Sequence, residues 1–167
     1  RPQVGGRILA LHPDFEPGGH IPAGETILQI EPDEYILAVT AAEAEVAKAR
    51  ASIELEKGRR VVAREELDIL QGSVKVDAAS QALALRKPQL RQVQAELGVA
   101  ENLLQRAQLD IRRTELRLPY DVQVLERARV SGEVVAAREL VGRVTRADEY
   151  WVELRVQPGL LNRLTAR

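Results

Sequence analysis

The sequence predicts an α+β protein in which a small β domain is interrupted by a long antiparallel α-helical coiled-coil hairpin. Three observations carry this. Leu90, Val93, Leu97, Ala100, Leu104, Ala107, Ile111, Thr114 and Leu118 recur at alternating steps of three and four, the signature of a helix packing against a partner. Val39, Ala42, Val46, Ala49, Ile53, Glu56, Arg60, Ala63, Leu67 and Leu70 keep the same steps, and the numbers of facing positions add to 149 or 150 throughout. A constant total is the mark of two arms running in opposite directions. Third, the flanks on either side are rich in Gly and Pro, strand-like, and similar to each other.

The first flank, residues 4–32, reads as the first half of the β domain. Gly5, Gly6, Pro13, Pro17, Gly18, Gly19, Pro22 and Gly24 punctuate two short apolar runs, Arg7 to Leu11 and Thr26 to Ile30. Pro32-Asp33-Glu34 then starts a helix, with two acids placed against the positive end of its dipole. The hairpin spans 33–118: one helix over about 33–71, a tip at 72–76, and a return helix over about 77–117. Asp77 is the N-cap candidate of the return helix, and Pro119 stops it. Its seam is formed by Val39, Val46 and Ile53 against Leu97, Leu104 and Ile111. Farther out, Glu56 faces Val93, Arg60 faces Leu90 and Ala63 faces Arg86, so charge enters the seam. Gly58 and Pro88 stand at nearly the same height there, and a kink is expected.

Strand texture returns over 119–146, the second half of the β domain. Gly19 to Ala23 parallels Gly132 to Ala136, and Glu25 to Leu28 parallels Arg138 to Val141, at an offset of 113. Two like halves flanking a hairpin predict one domain with an insertion. Residues 147–167, with the alternating Tyr150 to Val156, read as the beginning of a further β-barrel domain.

Composition narrows the function. The chain has 167 residues, 45% hydrophobic and 29% charged, with net charge −1, which provides no electrostatic case for nucleic acid. There is no cysteine, so disulfides, thiolate metal sites and a cysteine nucleophile are excluded within it. Uncharged runs such as Tyr35 to Ala42 fall far short of the roughly 20 residues that span a bilayer. The start at Arg1, without a leader pattern, reads as a trimmed piece. No catalytic or phosphate-binding motif is present, and His12 and His20 lie in turn-rich sequence without a motif around them. No catalytic, cofactor or metal residues are therefore assigned, and no enzymatic activity is expected.

Taken together, Pro17-Gly18-Gly19-His20-Ile21-Pro22-Ala23-Gly24-Glu25, Leu85 to Leu90, Ala107 to Asp121, and Gly132, Val134, Leu140, Asp148, Trp151 and Val152 resemble the periplasmic adaptors, or membrane fusion proteins of the HlyD type. The resemblance implies a lipoyl-like (barrel-sandwich) domain carrying the hairpin. It implies a periplasmic protein joining an inner-membrane transporter of the RND, ABC or MFS class to a TolC-type outer-membrane channel for efflux or secretion. It also implies a homo-oligomer, trimeric or hexameric. The tip that would meet the channel is Arg64, Leu67, Leu70, Gly72, Ser73 and Val74. The usual tip pattern is not reproduced, since Asp68 and Lys75 stand where leucine and serine would follow Arg64. Val122 likewise replaces the glycine that usually follows Pro-Tyr-Asp. Two other readings are weighed beside it. A lipoyl or biotinyl carrier with a helical insertion lacks its lysine, since none lies between Thr26 and Ala47. A structural coiled coil unrelated to transport leaves the paired flanks unexplained.

Overall fold

The computed structural model of the protein describes residues 1–70 and 78–148. Strands β1 (Gly6–Leu11), β2 (His20–Ile21) and β3 (Thr26–Ile30) lead into helix α1 (Asp33–Leu70). Helices α2 (Ala78–Ala84) and α3 (Lys87–Arg112) return to β4 (Glu115–Arg117), β5 (Val122–Arg127), β6 (Val134–Val135) and β7 (Gly142–Arg146). Two antiparallel sheets, ordered β4-β3-β1-β6 and β2-β5-β7, enclose the core. Ile8, Ile21, Leu28, Ile30, Val122 and Val124 are at most 1% exposed within it. Irregular registers between Ile8 and Ala10, and between Thr26 and Leu28, let the adjacent Ile27 and Leu28 both face inward, against the strict alternation of a flat strand.

The two halves are related by a pseudo-two-fold. Gly18 N–H donates to Val124 O and Gly132 N–H to Ile8 O, while Val124 N–H donates to Gly19 O and Ile8 N–H to Glu133 O. Gly18 and Gly132 both have φ 90°, and Gly24 (82°) matches Arg138 (67°). The structural offset is thus 114 between these positive-φ pairs, which corrects the 113 read from residue similarity. Matching Gly19 with Gly132 slips the frame by one, because the turns align on backbone conformation and the glycine doublet of the first half has no counterpart in the second. In the corrected frame Ile21 matches Val135 and Ile27 matches Val141, all four buried.

The first arm is a single helix of 38 residues, roughly 57 Å at ~1.5 Å per residue, unbroken through Gly58. The return arm differs from the one continuous helix expected over 77–117. It breaks at Leu85-Arg86, where Arg86 takes the left-handed conformation (φ 52°), and Pro88 sits in the first turn of α3. A proline lacks the N–H that would continue the ladder back to Ala84 but fits the first turn of a new helix. The irregularity expected at Gly58 and Pro88 is therefore confined to the return arm. That arm also ends five residues early, at Arg112, so the hairpin does not extend to 118. Thr114 Oγ1 donates to Ile111 O (2.7 Å), Ile30 N–H takes Thr114 O (2.8 Å), and Glu115–Arg117 pairs with β3. Edge pairing with β3 prevails over helix continuation, and Leu118 packs on the β core instead of the seam. Asp77 lies outside the described residues, as does all of 147–167 beyond Asp148, the stretch read as a further barrel.

Candidate docking site on the hairpin

The seam positions of α1 lie on its inner stripe. Val46 and Ile53 are buried, Val39 is half-buried, and so are Leu97, Leu104 and Ile111 on α3, where Ala100 is buried. Ile53 and Leu97 share one groove, and Arg50 pairs with Glu101 at 3.5 Å across the arms. The base is tied to the β domain. Tyr35, three residues into α1, donates its hydroxyl to Gly5 O at 2.6 Å and packs on the core. Burial pushes the Tyr35 hydroxyl above its usual pKa, and the Asp110 and Glu34 charges add to this, so it remains a donor.

Farther out the seam turns polar. Glu56 is 4% exposed and receives Arg86 Nε at 2.6 Å and Nη2 at 3.0 Å, with Arg59 at 3.6 Å. Hydrogen bonds from Arg86 hold the Glu56 carboxyl below its usual 4.5; Arg86 is correspondingly raised. Arg60 Nε donates to Leu85 O at 3.0 Å, satisfying a carbonyl freed by the break. The break and the ion pair form one unit: the left-handed turn at Arg86 directs its guanidinium to Glu56, not to the Ala63 level expected from the heptads. An acid at one seam level, Glu56, with arginines at the next two, Arg60 and Arg86, was the signal in the sequence that could have found this pair. The reach of an arginine beyond its own level hid it.

At the distal end, Arg64 is exposed, Leu67 is 7% exposed and Leu70 closes α1. Gly72, Ser73 and Val74, assigned to the tip, lie outside the described residues. An outer stripe also emerges. Leu55, Val62 and Ile69, one heptad apart on α1, are 64%, 55% and 80% exposed, and Val99 and Leu103 are exposed on α3. Heptad spacing on an outward face is what lateral packing of helices uses.

The β domain holds a polar cluster around His12. His12 Nε2 lies 2.7 Å from Glu25, and His12 Nδ1 accepts the Asp14 N–H at 3.1 Å, so both ring nitrogens are engaged. His20 stands exposed on β2. Among the described residues no group of three His, Cys, Asp or Glu side chains is arranged to hold a metal.

No protein-family model matches the chain. Multidrug resistance protein MdtA of Escherichia coli is 32% identical over 103 residues, an alignment covering 50% of this chain and 24% of MdtA. The chain thus spans about a quarter of that relative. Among solved structures, a putative efflux transporter from Bacteroides eggerthii superposes with a TM-score of 0.63 at 20% identity, covering 88% of this chain and 38% of the other. The periplasmic adaptor protein EmrA superposes with 0.59 at 14% identity, covering 84% and 69%. By sequence the chain is similar to MdtA over half its length, and over most of its length it shares the fold of the solved efflux-transporter and periplasmic-adaptor structures.

Proposed function

We propose that this chain is the lipoyl-like platform and hairpin of a periplasmic adaptor that bridges an inner-membrane transporter and an outer-membrane channel for efflux or secretion, acting by assembly without catalysis. The observation that carries the reading is a 57 Å-class helix and its return arm tied to a small two-sheet platform through Tyr35 and Thr114. Such a body is a spacer: it converts a rigid base into reach, and its chemistry is contact. The similarity to MdtA over half of the chain supports it. A carrier role is disfavoured because residues 1–32 and 115–148 contain no lysine to bear a lipoyl or biotinyl group.

The tip, Arg64 with Leu67, Leu70, Gly72, Ser73 and Val74, is proposed to meet the channel end-on. The outer stripe of Leu55, Val62 and Ile69 is proposed to pack against neighbouring copies in a trimeric or hexameric ring; a two-helix seam with few large aliphatic residues, each worth ~1.5–3 kcal/mol when buried, gains from such company. No helix of the described residues is long and apolar enough to cross a membrane. The protein is proposed to lie in the periplasm, associated with the inner membrane through parts outside this segment. The test is co-purification of the full-length protein with its channel, using Leu70→Asp and Val74→Asp. Loss of the channel from the complex is expected; undiminished assembly would sink tip docking.

A further inference from the structure

The middle of the hairpin carries a charge pattern of which the proposed tip docking uses only Arg64 and ring packing uses none. Across residues 54–64 of α1 and 78–95 of the return arm, seven lysines and arginines stand against two carboxylates, Glu54 and Glu56, in a chain whose net charge is −1. Both acids already have partners on the hairpin itself: the buried Glu56 pairs with Arg86 and Arg59, and the exposed Glu54 pairs with Lys57 at 2.8 Å on the surface of α1. Among the described residues Arg60, Arg64, Lys87 and Arg91 make no ion pair. The constant total of the two arms sets Lys87 and Arg91 level with residues 59–63, so these cations form a belt at one height.

One side of the belt is shaped. Lys57, Arg60, Val61 and Arg64, spaced i, i+3, i+4 and i+7 on α1, line a groove whose opposite wall is Leu85 from the break. Val61 is 58% exposed. The groove exists because the return helix breaks: the turn at Leu85-Arg86 presents Leu85 here and is held by Arg60.

We infer that this groove is a lateral docking site for an acidic helix of a partner protein, its carboxylates on Lys57, Arg60 and Arg64 and an apolar side chain between them on Val61 and Leu85. The inference stands on charge and shape and does not require the adaptor reading. A second copy lying parallel would bring cations to cations, since both arms are basic at this height. An extended polyanion or an anionic membrane would meet Glu65, Glu66 and Asp68 on the tip side and Glu54 and Glu96 on the base side. The cationic stretch of α1 is only roughly 10 Å long at ~1.5 Å per residue, which suits two turns of an acidic helix. It ends roughly 9 Å short of Leu70, so the occupant lies alongside the hairpin, not on its end.

The probe is a helix-stapled peptide with Glu at i, i+4 and i+7 around one Leu, beside the same peptide with Gln. Each is titrated onto the isotopically labelled 167-residue chain, with backbone amide shifts as the readout. The Glu peptide is expected to shift residues 57–64 and 84–91. Lys57→Gln with Arg64→Gln is expected to weaken it by about tenfold or more, as is raising the salt from low to high. The Gln peptide is expected to leave these residues unmoved. Circular dichroism of the double variant should be unchanged, since neither residue is buried. Shifts elsewhere, equal binding of the two peptides, or equal binding by the variant would overturn the inference. So would belt-dependent binding of phosphatidylglycerol vesicles or a DNA oligomer in place of the peptide, or belt-dependent dimerisation in sedimentation, which would assign the groove to a lipid surface, a nucleic acid or a second copy.

Discussion

The β platform and the hairpin solve the same problem, burial of an apolar face, with opposite completeness. The platform folds two similar halves onto one another, and eleven residues, eight of them on β1, β2, β3, β5 and β6, form a closed cluster. The hairpin has two helical arms and, among the described residues, no third layer. Over residues 33–112 only Val46, Ile53, Glu56, Leu67 and Ala100 are buried among the described residues, and one of those five is an acid. Two helices can cover one stripe of each other and no more, so the other stripes remain open to solvent or to partners. A closed region sets position; an open one makes contacts. That division is what the proposed spacer role asks for: a base that holds its shape and a length left open to contact.

The contrast can be broken most directly in the platform. Leu28→Ala removes a fully buried side chain from the closed core and is expected to cost about 3 kcal/mol, read as a lower denaturation midpoint for the β signals together with the hairpin base. Ile53→Ala in the seam should cost less, about 2 kcal/mol, because Ile53 is 8% exposed and borders an open groove with Leu97, whereas Leu28 is fully enclosed. Amide exchange should place that loss in α1 and α3 and leave β1, β3 and β5 protected. Equal losses in both regions would remove the distinction.

A smaller effect is expected at the ion pair. The Glu56 carboxyl is depressed below its usual 4.5 by Arg86. The stability it contributes is therefore present above about pH 4.5 and is lost as pH falls through the lower folded-state value. Amide protection over residues 54–60 and 84–91 should fall in that acid window while the apolar stem stays protected. Glu56→Gln should abolish this pH dependence. Replacing both partners, Glu56→Leu with Arg86→Leu, should restore more protection than Glu56→Gln, since an unpaired Arg86 is then absent. The smallest effect concerns the pseudo-two-fold. Arg138 occupies the left-handed position that Gly24 fills in the other half. Arg138→Gly relieves backbone strain while adding unfolded-state freedom, and a net gain of about 0.5 kcal/mol is expected, measured by chemical denaturation.

The heptad steps made the hairpin legible because α-helical periodicity is local, and an antiparallel partner leaves an arithmetic trace in the numbering. Asp33 as the helix start was readable for the same reason: Pro32 and the two acids act within one turn. The break at Leu85-Arg86 was less so. Pro88 announced an irregularity, but whether proline kinks a helix or opens a new one depends on what receives the freed carbonyl, and here Arg60, from the other arm, receives Leu85 O. The end of α3 was misplaced by five residues because Leu118 keeps the heptad step, yet its neighbours find a free edge on β3.

By itself, then, the sequence determined the arms, their direction, the two β flanks and the absence of a catalytic motif, all of which rest on spacing and residue type along one chain. Tertiary structure alone decided which seam charge pairs with which, where the return arm breaks, the 114-residue frame of the pseudo-two-fold and the groove at Leu85. Each of these depends on groups far apart in sequence satisfying one another's hydrogen bonds and charge, a requirement that local periodicity does not encode.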